Sequence, residues 1–160
     1  MATLIGAGSH ATDIAHTFIF DRHVTHHDDY RDDQKAVVIG VNDPQLRSAI
    51  STQIGVLDNS WVHPVCYIGP ECTWGGGTHI NYGVSMTRTT IGRHTTISPG
   101  VTICGDVTIG DRVLIGAGAT ICDRTTIGND AIIGAGAVIL PETVVPEKTV
   151  WVGVPGKQIR

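Results

Sequence analysis

Residues 91–139 read IGRHTT ISPGVT ICGDVT IGDRVL IGAGAT ICDRTT IGNDAI IGAGAV I, and every block of six begins with isoleucine. The series Ile91, Ile97, Ile103, Ile109, Ile115, Ile121, Ile127, Ile133 and Ile139 runs without a miss. Glycine often follows, as at Gly92, Gly110, Gly116, Gly128 and Gly134. A helical face repeats near 3.6 residues and a half-buried strand every two, so neither explains a strict six. A chain that turns a corner once per hexapeptide does, with three faces closing one coil. The isoleucines then point inward and stack from coil to coil, with glycine or another small residue near each corner. Neighbouring coils pair at about 4.8 Å. Burial at roughly 1.5–3 kcal/mol per isoleucine offsets the ordering entropy of a chain with few aromatic residues. The spacing predicts a mainly β fold, a left-handed parallel β-helix of hexapeptide repeats.

Followed backward, the period continues through Met86, Ile80, Trp74 and Ile68, one residue out of phase with the series from Ile91. The register therefore slips once, between Met86 and Ile91. Irregularities in a regular scaffold are often found where function requires them. Cys104 and Cys122 follow isoleucines one coil apart and should share a column, as an inert stacked pair rather than a redox site. With Cys66 and Cys72 they show neither CxxC spacing nor the density of a secreted disulfide scaffold, so all four are expected reduced.

The first 58 residues read differently. Thr3-Leu4-Ile5 followed by Gly6-Ala7-Gly8-Ser9-His10 predicts a short strand entering a glycine turn, then a helix over Ala11 to Phe18. Small residues of this kind stand where a backbone approaches a phosphate, although the full dinucleotide fingerprint is absent. Lys35 to Gly40 reads as a second strand, and Asp43-Pro44-Gln45-Leu46-Arg47 to Ile54 as a helix with proline in its first turn. Asp21 to Asp33, rich in charge and histidine, reads as a solvated loop. Its histidines His23, His26 and His27 lack a second cluster of ligands, so no metal site is assigned. The chain divides into a small α/β, Rossmann-like cap over residues 1–58, a β-helix over 59–150 and a C-terminal tail over 151–160. His63, before Pro64, belongs to the connection between cap and β-helix.

A net charge of -4, with 16% charged and 41% hydrophobic residues, leaves no basic stripe for a phosphate backbone and argues against nucleic acid as a partner. No apolar run is long enough to cross a bilayer, and Met1-Ala2-Thr3-Leu4-Ile5 lacks the charged start of a signal peptide. The expectation is a cytoplasmic protein with no membrane partner.

Gly6-Ala7-Gly8-Ser9-His10, Ile39-Gly40-Val41-Asn42-Asp43, the hexapeptide array and the ending Val152-Gly153-Val154-Pro155-Gly156 together resemble the NeuD/PglD-like sugar O- and N-acyltransferases, over nearly the whole length. The resemblance implies a homotrimer with active sites between adjacent β-helices. It implies an acyl-CoA, with acetyl-CoA the expected co-substrate, along the prism, and a sugar or nucleotide sugar held partly by the cap. By the same resemblance Gly6, Gly8 and His10 contact the sugar nucleotide, with Asp28 or Asp29 at its base or ribose. Asn81, which opens the family's Asn-x-Gly-like stretch, is a further substrate-binding candidate, and Gly105, Ala117 and Ala135 occupy rungs where the family's backbone meets acyl-CoA.

The family's general-base histidine, usually followed by an acid, stands two positions after the inward aliphatic residue of that Asn-x-Gly-like rung. Counting forward through Asn81-Tyr82-Gly83-Val84-Ser85-Met86 puts Arg88 and then Thr89 at these positions, whereas counting back from Ile91 puts Thr87 at the histidine. A second family histidine is Thr96 here. Acyl transfer to a hydroxyl or amine needs a base as the thioester is attacked, and arginine, with a pKa above about 12, can only bind an anion or stabilise developing charge. A neutral histidine typically contributes about 10²–10⁴-fold. His79, in the column of Thr96 one coil earlier, and His94, on the rung of Thr96, are the nearby candidates, with Arg88 as electrostatic partner. The alternative for each histidine is an ordinary surface residue.

Three functions follow. The first is a CoA-dependent acyltransferase that has relocated its base or dispenses with one, loss of the histidine pointing to an amino acceptor or to substrate-assisted catalysis. The second is a non-catalytic trimer binding a sugar nucleotide or a partner protein. The third is a metal-dependent β-helix enzyme resembling γ-class carbonic anhydrases, against which stands the lack of a third histidine beside His79 and His94 in the array.

Overall fold

The computed structural model describes residues 37–55 and 59–160, together with the strands Thr3–Ile5 and Arg22–Val24. The last two and β3 (Val37–Ile39) form a parallel sheet in which β1 (Thr3–Ile5) is central, flanked by β2 (Arg22–Val24) and β3. Ile5 is in register with Val24 and with Ile39. β1 and β3 lie where the sequence places strands. β2 corrects the solvated-loop reading of residues 21–33, since its sequence, Arg-His-Val, offers one apolar residue and no visible alternation. The expected helix over 11–18 and the residues His26, His27, Asp28 and Asp29 lie outside the described residues.

Helix α1 (Pro44–Ile54) begins where its sequence says it should. Asp43 caps it, accepting a hydrogen bond from the Leu46 amide at 2.8 Å, and Pro44 occupies the first turn, where its missing N–H costs nothing. Gly55 ends it in the left-handed conformation, φ 69°. Its buried face is less ordinary, for Ile50 and Ser51 share it with a charged residue, Arg47.

From Trp61 onward the chain winds into a three-faced parallel β-helix, as the hexapeptide period predicts. Each face is a stack of short strands, seven on the face that begins at Trp61–Val62 and five on each of the others. Within a rung such as Val107-Thr108-Ile109 the outer two side chains are buried and the middle one is exposed, the alternation of an extended chain. Every isoleucine of the six-residue series from Ile91 to Ile139 is buried, while Ile132, outside the series, is only half-buried. A second inward column, not read from the sequence, stands two residues before each member of the series: Val101, Val107, Val113, Ala119, Ala131 and Ala137, with threonines at Thr89, Thr95 and Thr125. Those threonines are paid for by hydrogen bonds, Thr95 Oγ1 donating to Gly110 O at 2.8 Å. Trp74 keeps its register against Ile91 but is 36% exposed, because its strand ends its sheet.

The corners differ from expectation in their residues. Left-handed φ angles occur at glycines such as Gly100 and Gly118, and also at Arg88, Asp106, Arg124 and Glu142 on a second corner and His94, Arg112, Asp130 and Lys148 on the third. Ion pairs between successive coils accompany several of these charged corners, as between Arg124 and Glu142 at 2.9 Å. The glycines that follow isoleucine serve close approach instead: a Cβ at Gly116 would lie 2.5 Å from the Ala135 amide nitrogen. All four cysteines are free, and burial, with lesser contributions from Asp123 and Cys122, pushes the Cys104 thiol up. The segment read as a tail is also part of the stack. Val150–Val152 adds to the first face and Lys157–Gln158 returns antiparallel against it.

Candidate active site

The phase slip has a definite location. Ile68 pairs with Met86, eighteen residues on, and Ile103 with Ile121 likewise, but Met86 pairs with Ile103 after seventeen. On the next face Ile91 pairs with Ile109, again eighteen on. The short corner is therefore Thr87-Arg88, and it stacks on Cys104-Gly105-Asp106. Arg88 corresponds to Asp106, because both hold the left-handed conformation (φ 43° and 60°) and Arg88 Nε donates to Asp106 Oδ1 at 2.9 Å. Thr87 corresponds to Cys104, leaving no residue to match Gly105. The position two after the inward aliphatic residue is missing from this coil, so Arg88 does not replace the family base by substitution. Its guanidinium leans into the space instead, where a Cβ on Gly105 would collide with it. The Asp106 carboxylate raises the Arg88 pKa further, keeping it a cation.

The two histidines are buried and not the ordinary surface residues that were the alternative for each. His79 is 0% exposed, paired in register with Trp61 and Thr96, with the Trp61 ring edge-on at 6.1 Å. His94 is 7% exposed and occupies the third corner at φ 54°, away from the corner of Arg88. It lines a cleft of about 370 Å³ between α1 and the β-helix, with Ser48 and Ser51 on one wall and Arg93, Asp111 and Arg112 on the other. Asp111 Oδ1 accepts from the Arg93 amide at 2.7 Å. Arg112 is held by Asp130 through two hydrogen bonds of 2.7 and 2.9 Å, and its guanidinium keeps the Asp130 carboxyl below the usual carboxylate range.

Thr96, at the second family histidine position, is tied to the cap: its Oγ1 donates to Asn42 O and accepts from Arg47 Nη2, each at 3.0 Å. Asn81 is buried, its side-chain amide donating to Ile97 O at 3.0 Å. Ala117 and Ala135 are exposed on one corner, one coil apart, whereas Gly105 is buried on another corner beneath Arg88. Gly6, Gly8 and His10 lie outside the described residues; β1, which precedes them, ends beside Ile39. Among the described residues no three His, Cys, Asp or Glu side chains converge as a metal ion requires, and no helix is long and apolar enough to cross a membrane. The residue that sequence reasoning missed is Arg47, which looked like an ordinary helical arginine; its one signal is that it falls three residues before Ile50 on a single face.

Residues 88–123 and 106–141 match the bacterial transferase hexapeptide model of six repeats. No curated protein sequence matches the chain. Among solved structures, a histidine-to-asparagine variant of perosamine N-acetyltransferase from Caulobacter crescentus, in complex with CoA and GDP-perosamine, superposes with a TM-score of 0.80 at 21% identity, covering 99% of this chain and 96% of that one. The acetyltransferase domain of PglB from Neisseria gonorrhoeae, with acetyl coenzyme A, gives 0.72 at 18% identity over 99% and 98%. WeeI from Acinetobacter baumannii gives 0.74 at 19% over 99% of each chain. The chain is thus a hexapeptide-repeat β-helix protein. Its resemblance to the NeuD/PglD-like sugar acyltransferases is borne out in repeats and fold.

Proposed function

We propose that this chain is an acyltransferase that moves an acyl group, with acetyl-CoA as co-substrate, to an amino or hydroxyl group of a sugar or nucleotide sugar. The observation that carries the reading is a fold shared over 99% of the chain with proteins captured holding CoA and GDP-perosamine, or acetyl coenzyme A. A homotrimer in the cytoplasm is part of the proposal. So are acyl-CoA contacts at Gly105, Ala117 and Ala135 and sugar contacts at Gly6, Gly8, His10 and Asn81.

His94 is the base in this reading, since it borders the cleft beside α1, while His79, sealed against Trp61, supports the coil beneath it. The acceptor nitrogen or oxygen attacks the thioester carbonyl as His94 takes the acceptor's proton, and as the C–S bond breaks the imidazolium returns that proton to the departing sulfur, leaving the acylated acceptor and CoA as its thiol. Arg88, always charged, supplies a cation for an anionic group. An amine that arrives deprotonated needs least from a base, so an amino sugar is the favoured acceptor.

The missing corner residue between Thr87 and Arg88 favours a second reading, a non-catalytic sugar-nucleotide-binding or partner-binding protein. A thiol-release assay with acetyl-CoA against a panel of amino sugars and nucleotide sugars separates the two. Release with one acceptor supports transfer; silence across the panel, with nucleotide-sugar binding retained, supports the second reading.

A further inference from the structure

Arg47 is wholly buried, and its donors reach across the seam between cap and β-helix. Nε donates to Gly77 O at 2.8 Å and Nη1 to Val41 O. Nη2 donates to His94 O and lies within 3.2 Å of Thr95 O and 3.0 Å of Thr96 Oγ1. A guanidinium is costly to bury and is tolerated where a fork of acceptors meets its planar donors. These acceptors come from three places. Gly77 and His94 stand on one corner in successive coils, both at positive φ, and Val41 belongs to the loop after β3. In a parallel sheet, ligands gather at the carboxyl ends of the strands, and that loop leaves from such an end, beside β1.

We infer that Arg47 is a positioning residue: it holds the His94 carbonyl, and with it the direction of the imidazole, in a fixed frame with the Val41–Asn42 loop of the cap. The inference rests on the reading of His94 as the base. The left-handed conformation itself belongs to the coil, recurring at Arg112, Asp130 and Lys148; what is particular to His94 is that its carbonyl is also held by the buried guanidinium. Thr96 closes the same frame by donating to Asn42 O at 3.0 Å. An anchor needed only for adhesion between helix and coil would require apolar contact; this one sends Nη2 to residues 94–96 while Nε and Nη1 hold Gly77 and Val41. Lysine cannot reproduce the fork, because its ammonium is a single point on a flexible stem.

The test compares full-length wild type with Arg47→Lys and Arg47→Met, with Arg124→Met on the exposed corner ladder as control. Two readouts are taken on samples whose circular dichroism and thermal transition show a folded protein. In thiol release, kcat per folded protein should fall by about 10-fold or more in both Arg47 variants while KM for acetyl-CoA stays within about 2-fold; loss of folded protein would also lower the rate at constant KM, and the second readout separates the two. In NMR, the His94 imidazole signals, assigned from His94→Asn, should shift in Arg47→Lys while those of His63 stay in place. If Arg47→Met fails to fold, Arg47→Lys decides. Unchanged kcat and an unmoved His94 signal in folded Arg47→Lys would overturn the inference. Absence of thiol release in wild type would remove the acyltransferase reading, and the His94 signal would still decide whether Arg47 positions that residue.

Discussion

Arg88 and Asp106 stand one above the other on a single corner, Nε to Oδ1 at 2.9 Å, with the ordinary eighteen-residue coil between them, whereas Met86 and Ile103, just before that corner, pair after only seventeen. The pairing shows which residue is lacking. The corner keeps its left-handed residue and its first residue, and omits the middle one, where Gly105 and Asp123 stand in the next two coils. The base that the resemblance places at that position has no counterpart in this corner, which leaves His94 as the proposed base.

Restoring the missing residue should restore the site. Insertion of histidine between Thr87 and Arg88 returns the corner to the length of Cys104-Gly105-Asp106, so the insertion should fold and should raise thiol release by about 10-fold or more. The displaced Arg88 guanidinium makes room, because only its flexible end occupies the space over Gly105. Steady-state kinetics on the folded insertion protein check this.

Close approach and φ can be separated at two neighbouring glycines. A Cβ at Gly116 meets the backbone of Ala135 at 2.5 Å, whereas Gly118, at φ 67°, has open space around it. Gly116→Ala should cost about 2–4 kcal/mol through forced displacement of a coil, and Gly118→Ala about 1 kcal/mol through backbone strain. Urea unfolding of both variants gives the comparison.

The inward threonines are held by hydrogen bonds and not by shape alone. Thr95 Oγ1 donates to Gly110 O at 2.8 Å and accepts from the Val113 amide at 3.1 Å. Thr95→Val keeps the volume and strands both partners, so it should destabilise by about 1–3 kcal/mol, whereas valine is native at Val113 one coil on. Thermal unfolding measures the loss.

Acid should weaken one particular corner. The Asp130 carboxyl is held below its ordinary range chiefly by the Arg112 hydrogen bond. A folded pKa below the unfolded value, about 3.9, means that the contribution is complete above that value and vanishes as pH falls through the folded one. The pair is partly exposed, so its worth is at the surface scale of about 0.2–1 kcal/mol. Unfolding midpoints measured from about pH 7 to about pH 2 should fall less steeply at the acid end in Asp130→Asn than in wild type.

The core was legible because one inward isoleucine per hexapeptide is a period no other element produces, and a chain-wide register follows from it. The slip at Met86 to Ile91 was visible as a lost residue, but counts from either side fitted, and only stacking on Asp106 says which was lost. Burial of His79 was not legible because it depends on the Trp61 ring one coil earlier, and that of His94 because it depends on a helix of the cap packed against its corner. Their outward positions on the rungs made exposure the natural expectation. Arg47 was missed for the same reason, since its acceptors lie thirty or more residues away at Gly77, His94, Thr95 and Thr96. The strand Arg22–Val24 escaped because charge masked its pattern.

The thiol-release rate of His94→Asn, relative to wild type with the same acceptor and acetyl-CoA, is the most direct measurement. Loss of about 10²-fold in kcat, with the protein folded and KM for acetyl-CoA little changed, is the result expected of a relocated base. Full turnover in folded His94→Asn would contradict it.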